Sequence, residues 1–143
     1  MAFQNPGEQE ICSYLKTKVK TIAVVGLSPK PDRPSYHVAE EMQHFGYRII
    51  PVRPALDSVL GEKAYATLAD VPEKIDLVDV FRASEHVQEI IDECLRLKLP
   101  AVWLQDGVIN EAAAQQARDA GLWVVMDRCV YRDYKNICQS GSK

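Results

Sequence analysis

The sequence lacks almost every feature that would assign an activity outright. Its cysteines, Cys12, Cys94, Cys129 and Cys138, form no CxxC pair, and no histidine stands at metal-ligand spacing from them. Structural zinc is therefore not expected, and a disulfide framework is not expected in a cytosolic chain of this size. HExxH, GxSxG and Walker sequences are missing, as are paired carboxylates of the kind used in acid–base chemistry. No apolar run approaches the roughly 18 residues of a membrane span. The N-terminus, MAFQNPGEQE, has no basic segment followed by an apolar one, so it does not read as a secretory signal. A cytoplasmic protein is expected. Basic charge is not in excess either. The net charge of −3 argues against a general nucleic-acid binder, which would carry a broad basic face.

What is present is an ordinary globular composition, 47% hydrophobic and 26% charged over 143 residues. That length suits one domain, read as residues 1–138, with a polar tail over 139–143 expected to be disordered. Asn5-Pro6 reads as a helix start, and Ile11 and Leu15 form its apolar stripe. A first strand is expected over Thr21 to Val25, and a helix capped by Ser35 runs to Gly46. A second strand covers Tyr47 to Val52. Residues 55 to 74 read as a connection with one helical turn near Thr67 to Val71. The third strand, Ile75 to Phe81, precedes a helix capped by Ser84. The fourth covers Ala101 to Leu104, Asn110 caps an alanine-rich helix, and the fifth covers Leu122 to Met126. Strands separated by helical patterns of about 10 to 15 residues imply parallel βαβ units. The expected fold is a Rossmann-like three-layer α/β/α sandwich with a five-stranded parallel sheet.

In such a sheet the ligand lies beyond the carboxyl ends of the strands, where strand order reverses. Five segments meet that condition: Gly26 to Ser35, Arg53-Pro54, Phe81-Arg82, Leu104 to Val108 and Asp127 to Cys129. The first is the most informative. A β-branched run ends at Gly26, a proline-rich loop follows, and a helix begins, which together make an anion site. The loop has one glycine and is no GxGxxG fingerprint. Pro29, Pro31 and Pro34 have no N–H to offer a phosphate, so Lys30 and Arg33 must supply the loop's positive charge. Ser35 can cap its helix and face a phosphate at once.

Arg53 discriminates between nucleotides. A protein that reads the NAD ribose places a carboxylate after the second strand. A cation there points to a ribose with an extra phosphate, as in NADP or coenzyme A. Phe81 suits either an adenine stack or the core, and Arg82 is better placed for a ligand. Trp103 reads as core, while the backbone around Gln105 is expected to line the crevice. His44 and His86 read as surface residues, with His37 a lesser candidate near the phosphates. Tyr131 and Lys135 make a Y-x-x-x-K pair, but no substrate-binding segment follows it, so it is set aside.

The segments GLSPKPDRPSYHVA, YRIIPV, EKIDLVDVFR, VWLQDGVINEAAAQQA and VVMDRC, taken in order, resemble the small stand-alone coenzyme A-binding domain proteins of bacteria and archaea. The resemblance covers roughly residues 8 to 130. The same fold is similar to the N-terminal domain of the succinyl-CoA synthetase α subunit, whose second domain and phosphohistidine segment have no counterpart here. It implies bound coenzyme A, with Gly26, Ser28, Lys30 and Ser35 at the diphosphate. Phe81 and Arg82 would border the adenosine and phosphates, and Gln105 would line the cleft. The family usually reads Pro-Val-Asn-Pro after the second strand, where this chain has Pro51-Val52-Arg53-Pro54. The leading expectation is a non-enzymatic module that binds coenzyme A or an acyl-CoA, as a carrier, sensor or partner of an acyl-CoA enzyme. The alternatives are an NADP-dependent oxidoreductase and an interaction domain whose pocket is unused.

Overall fold

Along the first strand, β1 (Thr21–Val25), Ile22 and Val24 pack to one side while Ala23 and Val25 pack to the other. The same alternation holds along β5 (Leu77–Val80) and β6 (Ala101–Leu104), so each strand is buried on both faces. Helices must therefore cover both sides. One face takes α1 (Glu8–Thr17), α2 (Pro34–His44) and the short α5 (Val130–Asp133). The other takes α3 (Val87–Arg96) and α4 (Glu111–Asp119), whose Val87, Ile90, Ile91, Cys94 and three alanines lie against it. With β2 (Arg48–Val52) and β7 (Trp123–Val125) the sheet is five-stranded, parallel throughout and ordered β2-β1-β5-β6-β7. This is the expected Rossmann-like sandwich. The computed structural model describes residues 3–139, and among these no helix is long and apolar enough to cross a membrane.

Several expectations are corrected, most of them by a long-range contact. Asn5 does not cap α1, whose N-cap is Gly7. Its carboxamide instead pairs with the end of β7, donating to the Met126 carbonyl at 2.9 Å and accepting the Met126 N–H at 2.7 Å. Ser84 opens a 3-10 turn, Ser84–His86, and its hydroxyl accepts the Ile109 N–H rather than capping α3. Asn110 does cap α4, accepting the Ala113 N–H at 3.0 Å. Within the 55–74 connection the expected turn is present at Leu68–Asp70. A small hairpin, β3 (Ser58–Val59) with β4 (Glu62–Lys63), is additional. Its turn places Leu60 and Gly61 at positive φ, without the Asn or Asp that usually signals such a turn.

The cysteine expectation is also overturned. Cys12 on α1 and Cys138 form a disulfide across 126 residues, while Cys94 and Cys129 are free and buried. Cys138 lies in a π-helical segment, Tyr134–Gln139, that follows α5 and packs on the same face of the sheet as α1. That packing brings the two Cα atoms to 5.2 Å, within the span a disulfide bridges. In the chain-entropy model, closing so long a loop contributes roughly 5 kcal/mol. Of the tail read as disordered, Gln139 belongs to this segment and residues 140–143 lie outside the described residues.

A carboxyl group stands at the centre of the sheet. Asp79, on β5 between Val24 of β1 and Trp103 of β6, is 2% exposed, and its Oδ1 has no partner among the described residues. Burial pushes its carboxyl well above the ordinary value of 3.8. As pH rises past 3.8 the unfolded chain ionises while the folded one keeps its proton. Stability therefore falls over that window until the folded carboxyl also ionises. Asp79→Asn should raise stability at neutral pH and flatten the pH dependence. Urea unfolding across the acid-to-neutral range checks this; an unchanged slope and midpoint would contradict it.

Candidate functional site

Strand order reverses between β1 and β5. The connection leaving β1 enters α2 on one face, and the one leaving β5 enters α3 on the other. The crevice between them is organised by Gly26. It sits at φ +87°, and its N–H donates to the Val52 carbonyl at 3.0 Å. A Cβ at this position would lie 2.5 Å from the Phe81 carbonyl oxygen and 3.1 Å from Arg82 Cδ. Only glycine fits both the dihedral and the space.

The loop after Gly26 is tied down by its own hydroxyls. Ser35 is 5% exposed and accepts the Ser28 N–H at 2.9 Å. Ser28 Oγ in turn accepts the Lys30 N–H at 3.1 Å, and the Arg33 N–H donates to the Lys30 carbonyl. Ser35 therefore does not cap α2. It sits behind Pro34, the first helical residue, and its hydroxyl folds the loop back onto the helix. Three loop N–H groups are used internally and three residues are prolines, so the loop presents its positive charge through side chains. The N–H groups of the first turn of α2 add the helix's partial charge.

The result is a cleft with two lobes. The smaller, about 370 Å³, is lined by Ser28, Lys30, Arg33, Ser35 and Arg53 among others, and carries three cations with no carboxylate. The larger, about 660 Å³, has an apolar floor of Val25, Val52, Leu68 and Ile90 and a rim of Arg53, Arg82, Arg96, Glu89 and Glu93. Gly26, Arg53 and Phe81 line both lobes and so mark their junction. Each volume lies in the range of small-molecule sites. Arg53 leans over the loop, its Nη1 3.4 Å from the Leu27 carbonyl.

Of the candidate residues, the structure brings together Gly26, Ser28, Lys30, Arg33, Ser35, Arg53, Phe81 and Arg82. It does not bring in Gln105, which is 3% exposed, lines neither lobe, and accepts the Val130 N–H through Oε1 at 3.2 Å. Its polar end anchors α5. The other two candidate segments are likewise structural. Asp127 accepts the Gly107 N–H at 2.7 Å, Ser84 holds Ile109, and Trp103 Nε1 donates to the Arg128 carbonyl at 2.7 Å. Cys129 is 8% exposed within the core. His37 lies edge-on to Tyr131 outside both lobes, and Lys135 Nζ is 5.8 Å from the Tyr131 ring centroid, a packing role for the Y-x-x-x-K pair.

Sequence reasoning missed the contribution of α3. Glu89, Glu93 and Arg96 recur at i, i+4 and i+7, one stripe beside the apolar face, and that stripe forms the outer wall of the larger lobe. The periodicity was available; its proximity to the β1 end was not. Arg96 Nη2 lies 3.6 Å from Glu93 Oε2.

The chain is similar to several known proteins. A family model for the CoA binding domain matches residues 20–135. The uncharacterized protein YneT of Bacillus subtilis is 45% identical over 127 residues, covering 89% of this chain and 93% of that protein. An ADP-forming 4-hydroxybutyrate–CoA ligase of Nitrosopumilus maritimus is 32% identical over 100 residues; the match takes in 69% of this chain and only 14% of the ligase. Among solved structures, a hypothetical protein from Pyrococcus horikoshii superposes with a TM-score of 0.86 at 33% identity, covering 96% of this chain and 99% of that one.

Gly26→Ala tests the organising contact. A left-handed alanine costs about 1–2 kcal/mol and an overpacked contact about 1–3 kcal/mol, so a loss of about 2–5 kcal/mol is expected in urea unfolding. An unchanged midpoint would mean the β1 and β5 ends separate freely.

Proposed function

We propose that this chain, which belongs to the CoA binding domain family, binds coenzyme A or an acyl-CoA in the two-lobed cleft and performs no chemistry of its own. The observation that carries this reading is the smaller lobe, where Lys30, Arg33 and Arg53 face the start of α2 with no carboxylate among the lining residues. A diphosphate over Ser28 and Ser35 meets the helix dipole and the loop cations together. Arg53, at the junction of the lobes, then stands where a phosphorylated ribose passes from one to the other. Phe81 and the apolar floor of the larger lobe suit the adenine. Arginine in place of the family's usual asparagine adds a charge-assisted contact at this point.

We read the module as a carrier or sensor of that ligand. The match to the 4-hydroxybutyrate–CoA ligase takes in 14% of that enzyme, so its ligase activity is not carried over to this chain. The ligand is a small molecule, and the cytoplasm is the compartment we assign.

Titration calorimetry with coenzyme A, dephospho-coenzyme A and NADPH on one preparation tests the proposal. Coenzyme A should bind about 10- to 100-fold more tightly than dephospho-coenzyme A, since a charge-assisted contact contributes about 1.5–3 kcal/mol. Arg53→Ala should narrow that ratio. Equal affinities would remove the role given to Arg53, and tighter binding of NADPH would favour an oxidoreductase-type nucleotide instead.

A further inference from the structure

The Cys12–Cys138 disulfide lies apart from the cleft, and neither half lines either lobe. Its two halves are unequal. Cys12, on α1, is half-buried, whereas Cys138 is 3% exposed. Lys16, one turn after Cys12 on α1, donates from Nζ to the Cys138 carbonyl at 3.1 Å, which sets an ammonium beside residue 138. The segment Tyr134–Gln139 also packs through Tyr134, whose ring lies 4.7 Å from Phe45 and 5.7 Å from Tyr47, and through Ile137 against the same core. The preceding α5 is fixed independently, by Gln105 and by the Arg128–Asp133 and Arg132–Asp106 ion pairs.

We propose that Cys12 is a site of S-thiolation by low-molecular-mass thiols. A thiolate R–S⁻ attacks the Cys12 sulfur, the more accessible of the two. The R–S bond to Cys12 forms as the bond between Cys12 and Cys138 breaks, and Cys138 leaves as a thiolate. One disulfide replaces another, so no oxidant or reductant is consumed, and the proton of R–SH passes to solvent or to Cys138. The Lys16 ammonium favours this direction, because a stabilised thiolate leaves faster. The consequence is local. Residues 134–139 lose their covalent tie to α1, while the hydrogen bond and ion pairs that fix α5 remain. Glutathione and coenzyme A carry the same reactive group, so the inference stands whether or not the cleft binds a nucleotide.

The test incubates the air-oxidised full-length protein with glutathione or with coenzyme A under mildly alkaline native conditions. Short time points are quenched in acid and mapped by mass spectrometry. The expected product is a single adduct on Cys12 with a free thiol at Cys138. In the glutathione arm, amide hydrogen exchange should quicken over residues 134–139 and stay unchanged over 21–35. Lys16→Gln should slow adduct formation roughly threefold. Equal rates with the two thiols would mean attack from bulk solution, and a faster rate with coenzyme A would mean delivery by bound ligand; both support the site. An adduct on Cys138, Cys94 or Cys129, free thiols at both Cys12 and Cys138 in the air-oxidised protein, or exchange only after unfolding would overturn it.

Discussion

The close approach of the β1 and β5 ends, possible only because residue 26 has no side chain, is the constraint on which the cleft depends. The Phe81 carbonyl occupies the space a Cβ would need, so the two strand ends converge and their connections part to opposite faces. Everything that lines both lobes radiates from this point. Phe81 and Arg82 are delivered by β5, the loop cations by β1, and Arg53 by β2, which is held alongside through the Gly26–Val52 hydrogen bond. The cleft is thus a property of strand order, and its chemistry is a property of three short loops.

The carboxyl edge of the sheet is divided into an open half and a closed half. Over β2, β1 and β5 the loops diverge and leave cationic side chains facing solvent. Over β6 and β7 they are knitted together by Asp127, Ser84, Gln105 and the Asn5 carboxamide, each satisfying backbone groups of another loop. Backbone groups at the ends of parallel strands must find partners or stay wet. The closed half finds them in protein, while the start of α2 leaves N–H groups that suit an anion. On an acidic chain this concentrates positive potential in one place, which favours phosphate-rich ligands there.

Most of this was legible in the sequence where the signal is local. β1 and β6 fall on the residues that their apolar runs mark, and Asn110 caps its helix as spacing predicts. Eight of the nine candidate site residues converge, because the rule placing ligands at strand ends needs only the order of elements. Most of the failures are side chains whose partners are distant in sequence, with Ser35, drawn to the Ser28 N–H within its own loop, the local exception. Asn5 and Ser84 have the chemistry of helix caps and are recruited by backbone 121 and 25 residues away. Gln105 sits at the right strand end, but its polar group turns inward to α5. Cys12 and Cys138 meet only once both ends of the chain pack on one face. The α3 stripe was visible as a pattern, yet its position beside the cleft is set by tertiary packing alone.

The most direct test of a ligand site confined to the open half is an amide chemical-shift titration of the labelled protein with coenzyme A. The account predicts saturable shifts at Gly26, Ser28, Lys30, Ser35, Arg53, Phe81 and Arg82, with the amides of 104–108 and 127–129 nearly unmoved. Shifts centred on those last two segments, or none at any concentration of coenzyme A, would contradict it.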